Sequence, residues 1–297
     1  MIIMKHILIF LLFLLSCGST AERGFPSDST PGQWLRDVAV DYEVDGKKQR
    51  AAIQIYFPRG YAHGAPARTL ILLHGWKQNP CDWEKNTPIA EYADAFGFVL
   101  VCPAMSSTLY ESRYFPETTN RWAAMPGGRY IAEMLIDFLR KKFGLTAERE
   151  LTGIFGISTG GRGALLLASR NSGIFGAAAG LSGDYDSLSI KNDRLLVSVY
   201  GPYDSHADRW EDEVNIIKLA KNLKNTPVFL GHGTRDAVVP PAQTKMLADR
   251  LKELHDREGG YDLVYDREKS NNAGHDWKYW AGLVPDVMKF FDRKLKK

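Results

Sequence analysis

Gly153-Ile154-Phe155-Gly156-Ile157-Ser158-Thr159-Gly160-Gly161 is the stretch that decides the fold. Glu150-Leu151-Thr152-Gly153-Ile154-Phe155 before it reads as a buried strand, and Gly163-Ala164-Leu165-Leu166-Leu167-Ala168 after it as a helix packed on a sheet. A serine between glycines at such a junction sits on a sharp elbow that lifts its hydroxyl out of the sheet's upper edge. Gly156 and Gly160 are expected because a side chain at either position would crowd the turn. The spacing alone is weak evidence, since glycine-rich turns are common. The strand and helix on either side strengthen it.

A serine held this way can attack an acyl carbon, and two later segments offer partners. Thr226-Pro227-Val228-Phe229-Leu230-Gly231-His232-Gly233-Thr234-Arg235-Asp236 is an apolar strand running into a loop that carries an acid. Asn272-Ala273-Gly274-His275-Asp276-Trp277 places a histidine ahead of the last helical pattern. Ser158, Asp236 and His275 thus follow the chain order nucleophile, acid, base, with His275 taking the serine proton and Asp236 fixing its tautomer. Thr69-Leu70-Ile71-Leu72-Leu73-His74-Gly75-Trp76 is a fully apolar strand ending in a turn. The backbone N–H groups of Trp76 and Thr159 are expected to form an oxyanion hole. His74 reads as a brace for that loop.

The segments LLHGW, GISTGGRGALLLA, GHGTRDAVVP and GHDWKYW resemble the α/β-hydrolase superfamily, specifically its esterase D-like branch. That branch holds feruloyl and acetyl-xylan esterases, S-formylglutathione hydrolase and mycolyltransferases. The resemblance runs from about Val38 to the C-terminus, with polyhydroxyalkanoate-depolymerase-like wording from His74 to Pro103. It implies a serine ester hydrolase working through an acyl-enzyme, on acetyl or feruloyl esters of plant polysaccharide, without a cofactor. Acyl transfer or peptide cleavage by the same residues, or a non-catalytic glycan-binding lipoprotein, are the alternatives. The segment from Ala104 to Gly128 departs from the family pattern and is expected to shape the pocket. Tyr114, Trp122 and Trp277 are the candidate substrate contacts, because aromatic faces suit sugar rings and phenolic acyl groups. Arg162 reads as half of a surface salt bridge, the alternative being contact with an anionic substrate.

Strand–helix alternation predicts a mostly parallel sheet covered by helices on both faces. Val38-Ala39-Val40-Asp41-Tyr42-Glu43-Val44 and Ala51-Ala52-Ile53-Gln54-Ile55-Tyr56-Phe57, joined at Asp45-Gly46, predict an opening β-hairpin. Strands are expected at 69–73, 97–102, 150–155, 176–181, 226–231 and 261–266. Helices are expected near 87–96, 129–143, 161–170, 214–223, 241–255 and 280–295. With 297 residues and 44% hydrophobic content, one domain over 34–297 can bury its own core. A net charge of +3 without a long basic run argues against nucleic acid as a partner. The histidines are scattered without metal-ligand spacing, so no metal is expected.

Residues 1–17 carry Lys5 and then an apolar run too short to span a bilayer, the form of a signal peptide. Leu14-Leu15-Ser16-Cys17 resembles a bacterial lipobox, implying lipidation of Cys17 and a membrane anchor facing the periplasm or the cell surface. Cleavage after Ser19-Thr20-Ala21 is the alternative. Residues 18–33 would form a flexible tether. Cys81 and Cys102 remain as an even pair in an exported chain, which predicts a disulfide worth about 3 kcal/mol, or else two packed thiols.

Overall fold

A computed structural model describes residues 30–296. The expected signal segment, Cys17 and most of the tether lie outside them. Residues 30–33 are already tied to the body, Gly32 N–H donating to the carbonyl of Phe57 at 2.8 Å.

β1 (Trp34–Val44) and β2 (Lys47–Tyr56) form the opening hairpin. Its two-residue turn puts Asp45 and Gly46 at φ 50° and 72°, the left-handed pair that matches the twist of paired strands. β3 (Arg68–Leu73), β4 (Phe98–Pro103), β5 (Thr152–Ile157), β6 (Ala177–Leu181), β7 (Val228–Gly231) and β8 (Leu263–Tyr265) complete one eight-stranded sheet. The order is β1-β2-β4-β3-β5-β6-β7-β8. β2 joins β4 antiparallel, and every pairing from β4 to β8 is parallel. This is the α/β-hydrolase fold.

Strands covered on both faces need apolar residues on both, which is why β3 and β4 read as unbroken hydrophobic runs rather than alternating ones. Ile71, Leu73, Val99, Val101 and Ile154 face one helical layer, formed by α3 (Ile136–Phe143), α4 (Thr159–Arg170) and α7 (Ala242–Glu258). Leu70, Leu72, Leu100 and Phe155 face the other, formed by α1 (Cys81–Asn86), α2 (Ile89–Phe96) and α8 (Trp277–Lys294). The period-2 division between these clusters fixes strand register, because a one-residue slip would exchange the two faces. α3 extends a π-type turn at Tyr130–Leu135, so the helix expected over 129–143 is present with widened winding.

A third apolar cluster caps the upper edge of the sheet. Leu109 and Phe115 come from the divergent segment after β4, and Leu196, Val199 and Tyr200 from α5 (Arg194–Tyr200). Trp210 and Val214 lead into α6 (Ile216–Leu219). The pocket-shaping segment is therefore paired with a second excursion, residues 182–213, in which the sequence pattern predicts neither strand nor helix.

The expected Cys81–Cys102 bridge is corrected by the structure, where both are free thiols. Cys102 is fully buried among Trp83, Phe98 and Leu100, so its sulfur serves as a small core group. Burial pushes its thiol well up, and neighbouring Cys81 adds to the effect. No described helix is long and apolar enough to cross a membrane.

Candidate active site

Ser158 stands between β5 and α4 at φ 55° and ψ −127°, a positive-φ conformation that a residue with a side chain occupies only under constraint. Such a conformation costs about 1–3 kcal/mol. The surrounding glycines make it attainable. A Cβ on Gly156 would lie 2.0 Å from the carbonyl oxygen of Gly160. One on Gly160 would lie 2.4 Å from the carbonyl oxygen of Leu73, and one on Gly161 2.6 Å from that of Leu181. Ser158 N–H donates to Leu181 O at 2.8 Å, which pins the elbow to β6.

The three residues expected to act together are brought together. His275 Nε2 lies 2.9 Å from Ser158 Oγ, and His275 Nδ1 lies 2.6 Å from Asp236 Oδ2. Because a carboxylate only accepts, Nδ1 carries the hydrogen and the Nε2 lone pair faces the serine hydroxyl. His275 is set by its position just before α8, where Asp276 caps the helix by accepting from Tyr279 N–H at 2.9 Å. Asp236 is set by its own loop, its Oδ1 accepting from Val238 N–H at 2.9 Å and Val239 N–H at 2.8 Å.

Burial alone would push the Asp236 acid up. Hydrogen bonds from His232, His275 and the Val239 N–H outweigh it and hold the group well below the ordinary carboxylate range. It is an anion at any working pH, suited to support an imidazolium.

Gly75 brings the loop after β3 against the serine: a Cβ there would lie 3.1 Å from Ser158 Cβ. The N–H of Thr159 opens α4, where first-turn donors lack intrahelical partners. Among the described residues, no backbone carbonyl accepts from Trp76 N–H. Both expected oxyanion donors thus belong to segments packed on Ser158. His74 holds this loop from beneath. Its Nε2 accepts from Met105 N–H at 3.0 Å, so Nδ1 carries the hydrogen and donates to Gly75 O at 2.7 Å. Burial pushes its pKa down, which keeps the ring neutral.

Trp76, Tyr114 and Trp122 line a cleft with Thr118, Asn120 and Glu111, and the enclosed space is about 20 Å³, room for about one water. Tyr114 is fixed there, its hydroxyl donating to Ala123 O at 2.8 Å. Trp277 is placed differently from expectation. It packs edge-on between Trp83 and Trp280 within the α1–α8 layer, because its position on the first turn of α8 turns it toward that layer.

Arg162 also departs from a surface reading, being wholly buried. It donates to Asp184 Oδ2 at 3.0 Å, Tyr200 Oη at 3.1 Å and Val214 O at 2.7 Å, and lies 3.4 Å from Glu111 Oε1. Burial pulls its guanidinium down, but Tyr200, Asp184 and Glu111 more than compensate. Arg170 donates to the other oxygen of Glu111 at 2.7 Å. Two cations and two carboxylates therefore balance beneath the cap. Among the described residues, no three His, Cys, Asp or Glu side chains converge as metal ligands.

Residues 47–291 match the Esterase family model, described as "Putative esterase". The chain belongs to this esterase family. Among its relatives is an acetyl esterase of Caldicellulosiruptor saccharolyticus, 24% identical over 76% of this chain and 84% of the relative. Another is the diacylglycerol acyltransferase/mycolyltransferase Ag85A of Mycobacterium gordonae, 24% identical over 90% of this chain and 82% of the relative. The fold is similar to that of FphF, a fluorophosphonate-binding serine hydrolase of Staphylococcus aureus, with TM-score 0.66 and 18% identity, covering 89% of this chain and 99% of that one. The esterase is thus a serine ester hydrolase on an α/β-hydrolase scaffold.

Sequence reasoning passed over His232, although it stands inside the segment that supplied Asp236. Its imidazole contacts the acid directly, with Nε2 at 3.0 Å from Asp236 Oδ2. The available signal was the histidine four residues before the acid.

Proposed function

We propose that the esterase hydrolyses small acyl esters, in particular acetyl esters of carbohydrates, with Ser158 as nucleophile, His275 as general base and acid, and Asp236 as the orienting anion. The observation that carries the chemistry is the Ser158–His275–Asp236 chain at 2.9 and 2.6 Å on a strained elbow. Ser158 Oγ attacks the ester carbon as its proton passes to His275 Nε2, and the carbonyl electron pair moves to oxygen, where the Trp76 and Thr159 N–H groups receive it. Collapse expels the alcohol, which takes the proton from Nε2. Water then repeats the sequence on the acyl-serine and releases the acid.

Two features support a small acyl group on a sugar. Trp76, on the loop packed against Ser158, stands with Tyr114 and Trp122 as an aromatic group of the kind that receives sugar rings. The relative described as an acetyl esterase agrees. We propose further that Cys17 is lipidated and that the esterase is displayed on a membrane through the segment between Cys17 and Thr30.

The test compares wild type with Ser158→Ala on acetylated xylan, feruloylated oligosaccharide and p-nitrophenyl acetate. Acetate release by wild type alone is expected. Turnover by the Ala variant would overturn the nucleophile, and feruloyl release exceeding acetate would overturn the acyl preference. Capture of the acyl group by added glycerol in preference to water would make the protein a transferase.

A further inference from the structure

Building on that reading of the site, we propose that His232 is a positioning residue for the catalytic acid, so that one oxygen of Asp236 serves two imidazoles. His232 lies at the end of β7, its side chain completely buried. Its Nε2 sits 3.0 Å from Asp236 Oδ2 and 2.9 Å from Val239 O. Both neighbours are acceptors, so Nε2 must carry a hydrogen, shared between them. On the other side of the ring, Nδ1 lies 2.7 Å from Thr244 Oγ1 on α7, whose hydroxyl can donate to the neutral ring. The ring is therefore held at both nitrogens, and among the described residues its only charged contact is the triad acid.

The two oxygens of Asp236 divide their work. Oδ1 is taken by the backbone N–H groups of Val238 and Val239. Oδ2 is approached by His275 at 2.6 Å and His232 at 3.0 Å. A purely structural anchor would have been complete with Oδ1. The second imidazole acts on the oxygen that His275 uses, and it has two consequences. It fixes the carboxylate plane, and hence the direction in which His275 Nε2 points. It also draws charge from Oδ2, so its removal would strengthen the acid's hold on a proton at His275. The other titratable groups around the pair are Tyr279 on α8, which feels the charges of Asp236 and Asp266, and Asp266 itself, linked through the Ser270 hydroxyl. The α7 side presents the neutral Thr244.

The test is the pH profile of kcat/KM for wild type, His232→Leu, His232→Gln and Thr244→Val. Leu removes the donor, and Gln offers an N–H where Nε2 stood. Expected for Leu is a loss of about 10- to 100-fold at neutral pH carried by kcat with KM unchanged, and an acid limb moved up by about 0.5–1 pH unit. Gln should restore most of both. Thr244→Val, which leaves the ring in place but without its Nδ1 partner, should move the limb the same way by less. An acid limb that superposes on wild type in folded Leu protein overturns the proposal. Should Leu fail to fold, an unmoved limb in Thr244→Val overturns it. Fluorophosphonate labelling of Ser158 in wild type separates the outcomes, since loss of labelling there would instead sink the assignment of the nucleophile.

Discussion

The ring of Trp280 stands nearly perpendicular to the imidazole of His275, with centroids 5.0 Å apart and an interplanar angle of 83°. Trp280 is itself anchored, its Nε1–H donating to Ser182 Oγ at 3.1 Å, and it packs on Trp277 and through it on Trp83 and Phe155. An unbroken line of rings thus joins the strand that delivers Ser158 to the loop that delivers His275. A perpendicular aromatic pair is worth about 0.5–1.5 kcal/mol beyond its burial. Trp280→Leu is therefore expected to lower kcat by up to about tenfold with little change in KM, read by steady-state kinetics on p-nitrophenyl acetate. A change confined to KM would show that the ring acts on substrate instead.

Glycines in this chain are not equivalent. Gly160→Ala would drive a methyl to 2.4 Å from Leu73 O and 2.6 Å from His74 O, backbone atoms where β3 runs into the oxyanion loop. Neither can retreat without moving β3, so the variant is expected to lose at least about 3 kcal/mol of stability and nearly all activity. Gly282→Ala, inside α8 with open space around the added carbon, is expected to stabilise by about 0.5–1 kcal/mol. Urea titrations of the two variants measure both effects.

His74 makes stability depend on pH. Burial lowers its pKa, only partly offset by the bond to Gly75 O, so the folded protein refuses a proton that the unfolded chain takes up below about 6.5. The stability contributed by the neutral ring is complete above that pH and is lost as pH falls toward the depressed folded value. The slope approaches about 1.4 kcal/mol per pH unit for this one group. Denaturant midpoints at pH 7 and 5.5 should fall further apart in wild type than in His74→Asn. Equal differences would assign the slope to other groups.

Arg162→Met is expected to destabilise by about 3–5 kcal/mol, because Asp184 and Glu111 would remain buried with fewer cationic partners. Replacing Arg162, Glu111 and Asp184 together by apolar residues of similar volume should recover much of that loss. A thermal melt series of single and triple variants decides it.

Much of the site was legible because its chemistry is local. The elbow at Ser158 needs glycines at fixed offsets, and Asp236 and His275 follow strands whose apolar runs announce them. The Asp45-Gly46 turn was equally plain. What escaped depends on partners distant along the chain. Arg162 reads as a surface cation until Glu111, Asp184 and Tyr200, which lie 51, 22 and 38 residues away, close around it. α5 is too short for its apolar positions to show a period, and Trp277 differs from a substrate contact only in which way α8 faces. Cys81 and Cys102 satisfied the arithmetic of pairing, which says nothing of where each sulfur points.

Glu111 belongs to the segment that roofs the cleft, whereas Arg162 and Arg170, which neutralise it, belong to the helix that begins beside Ser158. Roof and engine therefore share one electrical circuit across about 50 residues of chain. A chimera that exchanges the roof for a relative's, with a crossover anywhere between the two, inherits orphaned ions in its interior unless both arginines travel with their carboxylate. Recombination libraries built on this scaffold should treat residues 111–184 as a single indivisible block, since Asp184 is the second carboxylate on Arg162.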